Sequence, residues 1–334
     1  MNTRAIAPCR ADLAGGTLDI WPIGLLHPGA VTVNVAIPVF VEVDVTPIHG
    51  RAWLIHDRPE ADRSVLGPDD RHENLAACIL HHLKPSGGIR LEVRREPPMG
   101  SGLGGSSVFG CAMAQAVVAH QGRTMNAEET VAIIRDLEAR LLGTATGSQD
   151  HWAAMRGGAT ALHCEPGGDR LEALPSDPEF FADRLTVFFT GITHHSGMVN
   201  WQVIRRRLDG DPDTTRAFEA IAEAARRCRE ALLAQDPDST AAAIDRDWQA
   251  RRTLAPEVCP DELTVIERAA RAAGASAFKA CGAGGGGSGL VWHPPEHREA
   301  VRAALTAAAP SGRLFDPGIV RDGCIVTTEE SAVC

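Results

Sequence analysis

Lysine is nearly missing from this chain: only Lys84 and Lys279 occur in 334 residues, against 31 arginines. No lysine stands near the glycine-rich stretch at 100–107, so a Walker A phosphate loop, which needs Gly-Lys-Ser/Thr, is excluded there. No His-Arg-Asp or Asp-Phe-Gly follows, which removes the protein-kinase pattern. No apolar run approaches the ~20 residues that a membrane-spanning helix needs. Met1-Asn-Thr-Arg leads straight into Ala5-Ile6-Ala7-Pro8 without the apolar core of a secretory signal, and the expectation is a cytoplasmic chain. The nine cysteines are odd in number, scattered and free of any Cys-x-x-Cys, which predicts buried or free thiols rather than disulfides or a structural zinc. Positive charge is also in deficit: 43 acidic against 33 basic residues give −10. That balance argues against broad binding to nucleic acid or an anionic membrane, while a local basic pocket could still take a small anion.

What is present is a core-forming composition, 44% apolar, in a length that suits two domains. Residues 30–45 are the longest β-branched run. Val31, Val33, Val35 and Ile37 alternate there with Thr32, Asn34 and Ala36, the pattern of a half-buried strand. Helices are expected at 73–83 and 108–120, and another is expected to start at Asn126 with Glu129 completing a capping box and to end at Gly143. Beyond 185, Ala/Arg/Glu-rich helices alternate with short strands. The Gly-, Pro- and Asp-rich stretch at 166–184 marks a boundary near 180, giving domains 1–180 and 181–334. Strands and helices mix without a regular βαβ beat, so the class is α+β in two halves.

Two glycine loops carry the sharpest signal. Pro98-Met99-Gly100-Ser101-Gly102-Leu103-Gly104-Gly105-Ser106-Ser107 lies between a strand and a helix, where freed amides and a helix N-terminus make an anion cradle. A tight packing turn is the alternative, but so many glycines exceed what a turn needs. Gly100, Gly102 and Gly105 also satisfy the dinucleotide spacing. The acidic residues about 20 positions on, Glu128 and Glu129, begin a helix rather than end a strand, which weakens that reading. The second loop, Lys279 to Gly289, is flanked by Ala277-Phe278 and Leu290-Val291-Trp292, so it reads as a close backbone approach rather than a linker.

With these loops in order behind Ala7-Pro8-Cys9-Arg10-Ala11-Asp12-Leu13-Ala14-Gly15-Gly16-Thr17-Leu18-Asp19, the sequence resembles the GHMP kinases. Gly147-Ser148-Gln149-Asp150-His151-Trp152 and Gly191-Ile192-Thr193-His194-His195-Ser196 resemble the heptose-phosphate kinase branch. Three departures stand out: Thr17-Leu18-Asp19 replaces Gly-Thr-Asp, Gly105 stands where the loop usually has its first serine, and His151 replaces a glutamine. The resemblance implies an S5-like N-terminal domain, a ferredoxin-like C-terminal domain, and a phosphotransferase that uses ATP and Mg²⁺ on an alcohol.

Residue by residue, the resemblance makes Pro98 and Gly100–Ser107 the ATP loop, Ser106 and Glu138 the Mg²⁺ ligands, Asp150 the base, and Arg10 the charge beside it. Glu138 is independently conspicuous, because on the expected helix it falls on one stripe with Val131, Ile134 and Leu142. A glutamate there is costly unless paired, for instance with Arg135, or metal-bound. Gly16, Thr17, Asp19, His195, Ser196, Gly282, Ala283, Gly284 and Gly285 are the candidate acceptor contacts. A turn role for Asp19, a dipole-stabilising role for Asp150 and a surface ion pair for Arg10 are the plainer alternatives. Arg156, Arg205-Arg206-Arg207 and Lys279 are candidates to clamp a substrate phosphate. The expected acceptor is a sugar or sugar phosphate, foremost a heptose 7-phosphate or related octose phosphate at its anomeric hydroxyl. The alternatives are a mevalonate- or phosphomevalonate-type kinase or decarboxylase, a non-catalytic ATP or sugar sensor, and a dinucleotide-dependent oxidoreductase. A homodimer is left open.

Overall fold

Two long strands open the fold in the computed structural model, which describes residues 2–57, 64–66, 74–192, 196–282 and 284–329. Strand β1 (Asn2–Ala14) pairs antiparallel with β2 (Val31–Ile48), with irregularities at Pro8/Cys9 and Asp12/Ala14. There follow β3 (Trp53–Asp57), β4 (Ser64–Leu66), helix α1 (Leu75–Leu83), β5 (Gly88–Arg95), α2 (Gly105–His120), α3 (Ala127–Leu142), α4 (Gln149–Arg156), β6 (Ala159–Glu165) and β7 (Gly168–Leu174). The second half runs α5 (Pro178–Ala182), β8 (Leu185–Phe189), α6 (Ser196–Leu208), α7 (Pro212–Leu233), α8 (Pro237–Arg251), α9 (Asp261–Ala272), β9 (Ala277–Ala280), β10 (Ser288–Trp292), α10 (Arg298–Ala308), β11 (Arg313–Leu314) and β12 (Ile325–Glu329).

These strands make two sheets. The first has the order β12-β1-β2-β5-β3-β4, with β6 on the first half of β2 and β7 on β6; among the described residues only β3 and β5 run parallel. The second, β11-β8-β10-β9, is antiparallel throughout. The stretch at 166–184 forms β7 and the one-turn-plus helix α5, and the chain's last strand pairs with its first. No helix among the described residues is long and apolar enough to cross a membrane.

Burial along the two long strands shows how the layers meet. Residues Val39 to Val45 alternate between buried and half-buried, as a one-sided strand should. Residues Val31 to Ile37 are buried on both faces, Thr32 and Asn34 included, so the alternation correctly marked a strand but not its second covered face. Helix α7 packs on β1 and β2 there, and α8 packs on β1 and on β9, joining the two sheets. On the other side α2 lies across β1 and β2, and α3 packs on α2 through Ile134 and Leu137 while its Val131 packs against Trp152 and Leu162. Full burial of such side chains contributes about 1.5–3 kcal/mol each, which holds α3 in register. Leu142, expected on that stripe, is 62% exposed because the helix outruns its neighbours before Gly143 caps it. The eight described cysteines are free thiols.

Candidate active site

The glycine loop ends in a helix whose first turn is bare. α2 begins at Gly105, three residues earlier than the side chains suggest, because Gly104 (φ +77) serves as N-cap and makes no side-chain cap bond. The early turn therefore presents uncapped amides with the positive end of the helix dipole, the arrangement that binds a phosphate. Ser106 and Ser107, which could have capped it, instead donate to the two oxygens of Glu138 at 2.9 and 2.8 Å. His151 Nε2 adds a third contact to Glu138 at 2.9 Å. Arg135, the alternative partner, turns away to Asp136. Burial alone would raise the Glu138 carboxyl, but His151, Ser107 and Ser106 outweigh it and hold it below the usual range.

The donor set can be tested for Mg²⁺ on these contacts. A hydroxyl and a carboxylate, both hard oxygen donors, converge within hydrogen-bond distance beside a bare helix N-terminus. Among the described residues no three His, Cys, Asp or Glu side chains gather as an all-protein metal cage. Mg²⁺ keeps waters and substrate phosphates as its other ligands, so this sparse set fits it.

Arg10 and Asp150 meet on the far side of the loop. Arg10 Nη2 lies 2.6 Å from Asp150 Oδ1, and Nη1 donates to the Gly102 carbonyl at 2.8 Å. Arg10 is buried, whereas the Asp150 side chain keeps 24% exposure. Burial disfavours the Arg10 charge, yet Asp150 and Asp12 together push its pKa above the usual arginine value. A Cβ on Gly104 would sit 2.8 Å from Asp150 Cγ, so only glycine lets the loop lie this close to the carboxylate.

Asp19 forms the next layer. The Gln149 amide donates to its Oδ2 at 3.0 Å and the Gln149 side chain to Oδ1 at 3.3 Å, tying Asp19 to the residue before Asp150. Burial first, and then the nearby charges of Asp150, Asp169 and Asp12, push its pKa up to about 6 against the Gln149 amide. Asp19 borders a cavity of about 530 Å³ that is also lined by Trp21, Arg135, Asp136, Glu165 and Asp169. Trp21 is an open aromatic face, 73% exposed.

Other expected residues fall elsewhere. Gly282 and Gly284 use their positive φ to approach the backbone of Gly102 and Val258, and the Ser288 amide donates to Ser101 at 2.7 Å, so the second loop backs the first. Lys279 is no phosphate clamp: it is fully enclosed, bonded to Asp12 and next to Asp247. Arg206 donates to Leu254 and Arg207 to His27, while Arg205 lies near Asp209 and Arg156 is exposed. Thr193, His194, His195 and Ala283 lie outside the described residues, and Ser196 opens α6. No local sequence pattern names Ser107 and His151 as contacts of Glu138, or Gln149 as the contact of Asp19. The polar Ser148-Gln149-Asp150-His151 turn was the available signal.

The sequence model described as the N-terminal domain of GHMP kinases matches residues 73–158, and the model of the GHMP kinase C-terminal domain matches 228–311. The chain is 25% identical over 314 residues to the bifunctional fucokinase/GDP-fucose pyrophosphorylase of Arabidopsis thaliana, covering 87% of this chain and 30% of that much longer one. It is 25% identical over 317 residues to the D-glycero-alpha-D-manno-heptose 7-phosphate kinase of Campylobacter jejuni, covering 90% of this chain and 92% of that one. A crystal structure of a D-glycero-D-manno-heptose 1-phosphate kinase from Bacteroides thetaiotaomicron superposes with a TM-score of 0.76 at 20% identity, covering 98% and 100% of the two chains, a likeness of fold.

Proposed function

The chain belongs to the GHMP kinases, phosphotransferases with an alcohol as acceptor, and we propose that it transfers the terminal phosphoryl group of ATP to the anomeric hydroxyl of a sugar or sugar phosphate. The observation that carries this reading is the contact of Asp150 with both Arg10 and the glycine loop, which puts a carboxylate at the edge of a phosphate cradle. Pro98, Gly100–Ser107 and the bare first turn of α2 would hold the phosphates. Ser106 and Glu138 would hold Mg²⁺, which when bound offsets charge on the phosphate oxygens.

Asp150 would orient the acceptor hydroxyl and take its proton at Oδ2 as the new P–O bond forms and ADP departs. Arg10 fixes the other oxygen and adds positive charge next to the transferring group. Arginine does not deprotonate at neutral pH, so its role is charge and orientation. Asp19 would meet the acceptor's other hydroxyls, while Gly16 and Thr17, whose carbonyl and hydroxyl are taken by Arg251, would shape the turn that presents it. The glycines at 282, 284 and 285 would support the cradle from behind.

A heptose 7-phosphate or related octose phosphate leads as acceptor, supported by the Campylobacter jejuni relative that matches along nearly its whole length. A neutral sugar is the second reading. The cavity beside Asp19 is lined by four carboxylates, and its one described base, Arg135, is paired with Asp136. Carboxylates that accept hydrogen bonds from hydroxyls suit a polyol better than mevalonate, which has one hydroxyl besides the reacting one and a carboxylate of its own. ADP release measured across neutral sugars, their phosphates and mevalonate is the deciding experiment. No turnover on any sugar or sugar phosphate would overturn the proposal.

Two further outcomes are expected. Ser106→Ala and Glu138→Gln should each raise the Mg²⁺ midpoint of the rate by about 10–100-fold with the fold intact; unchanged midpoints in both would remove the metal assignment. For Asp19, the acceptor KM should rise as pH falls through about 6, because the protonated carboxyl accepts hydroxyl bonds poorly. Asp19→Asn should start from a raised acceptor KM and lose that pH dependence, with the ATP KM steady. The same shift has the opposite sense for stability. Between the ordinary carboxylate range and about 6 the folded chain keeps a proton that the unfolded chain has lost, so this site costs stability as pH rises through that window.

A further inference from the structure

We infer that four enclosed charges, Asp12, Lys279, Asp247 and Arg251, form a positioning network that sets the turn Gly15-Gly16-Thr17 and, through it, the place of Asp19; the inference rests on the acceptor role proposed for Asp19. All four side chains are essentially without solvent exposure. Lys279 Nζ on β9 donates to Asp12 Oδ2 on β1 at 3.0 Å and lies 3.3 Å from Asp247 Oδ2 on α8. Arg251, one helical turn after Asp247 and on the same face, completes the chain at 3.5 Å. Two positive and two negative charges close on themselves across both sheets.

The network's outputs all fall on one turn. Asp247 Oδ1 accepts from the Gly15 amide at 2.8 Å, and Arg251 donates to the Gly16 carbonyl and to Thr17 Oγ1. Three consecutive residues are therefore gripped by two side chains of α8. The grip answers a local need, because Thr17 is β-branched and sits at φ +77, a conformation that persists only where surroundings over-determine it. The fit leaves no slack: a Cβ on Gly16 would come within 2.1 Å of Asp12 Oδ2, and one on Gly15 within 2.2 Å of the Val31 carbonyl. Asp19 follows two residues later and is tied to Gln149, next to the candidate base. At the network's other end, Asp12 and Arg10 share one face of β1.

A purely stabilising role explains the arrangement poorly. Enclosed ion clusters are often matched or bettered in stability by apolar packing, and Asp12 Oδ1 finds no hydrogen-bond partner among the described residues. What charges of this geometry supply, and packing does not, is a fixed direction for three backbone and hydroxyl groups.

Arg251→Lys keeps the charge but cannot reach both Gly16 and Thr17. In the full-length chain, at a temperature well below melting, amide exchange within residues 14–19 should speed up by about tenfold while the second sheet keeps its protection. With L-fucose and heptose 7-phosphate as acceptors, kcat/KM for whichever supports turnover should fall by about 10–100-fold, with the ATP KM within about twofold. Thr17→Val, which removes only one acceptor, should show a smaller change in the same direction. Unchanged exchange at 14–19 in a folded Arg251→Lys protein overturns the inference, as does an equal rise in both KM values. Failure of both variants to fold would make the cluster structural and overturn it too. Wild-type protein inactive on both acceptors would count against the kinase reading alone, and the exchange arm would still decide this one.

Discussion

Asp150→Asn is expected to lower kcat by about 10²–10⁴-fold while ATP binding stays nearly intact. The substitution keeps volume and can keep a contact with Arg10, whose Nη2 lies 2.6 Å from Oδ1. What it removes is the capacity of Oδ2 to take a proton. A loss within that range confined to kcat fits a group that acts only as the hydroxyl attacks. A loss placed wholly in the ATP KM would instead make Asp150 part of the cradle wall, since the loop touches it through Gly104. Phosphoryl transfer through a loose transition state needs its base late, so orientation and proton removal share the effect. The partner separates them. Arg10→Gln should reduce kcat by weakening both orientation and charge, and the Asp150→Asn/Arg10→Gln double variant should lose less than the product of the single losses. Retention of more than about a tenth of wild-type kcat in Asp150→Asn would fall short of the general-base range and remove the assignment.

How far the sequence foretells this site depends on whether a feature is local. The capping box at Asn126 and Glu129 forms as read, because both partners lie within one turn. Glu138 stands out on an apolar face and is indeed buried, but its three partners come from α2 and α4, which no local pattern names. Arg10 reaches Gly102 across 92 positions and Lys279 reaches Asp12 across 267. The first pairing needs the first sheet and its loop in place, and the second exists only once the two sheets are assembled around α8. Lys279 was therefore open to a role in clamping phosphate, when its charge is spent inside the protein. The β6–β7 hairpin was legible in principle, since Pro166-Gly167 is a turn signal between two strand-length segments. It was overshadowed by the glycine and proline content of 166–184, which also suits a domain boundary. β12 was not legible as a neighbour of β1, because register between chain ends is set by tertiary packing.

Gly104→Ala is expected to be a damaging substitution in the glycine loop, because the new methyl group would meet the candidate base itself. The new Cβ would stand 2.8 Å from Asp150 Cγ and 2.9 Å from Oδ2, closer than real contacts allow. The backbone there is left-handed at φ +77, which costs an alanine roughly 1–2 kcal/mol before any contact is counted. Either Asp150 swings away or the loop lifts, and each breaks a different part of the site. A displaced base lowers kcat, with misplacements of about 1 Å worth about 10²-fold. A lifted loop spoils the cradle and appears in the ATP KM. The Asp150–Arg10 ion pair resists the first movement, and the Arg10 bond to the Gly102 carbonyl together with the packing of Gly282 on Gly102 resists the second. Asp150 retains partial exposure while the loop is backed from behind by the second glycine loop, so the carboxylate is the part that yields. The loss should then fall on kcat. In an Asp150→Asn background the same glycine substitution should add little, since the base it would displace is already disabled. A fully multiplicative loss, or an ATP KM that rises as kcat stays level, would show that the loop moves and that Gly104 serves the phosphates rather than the base.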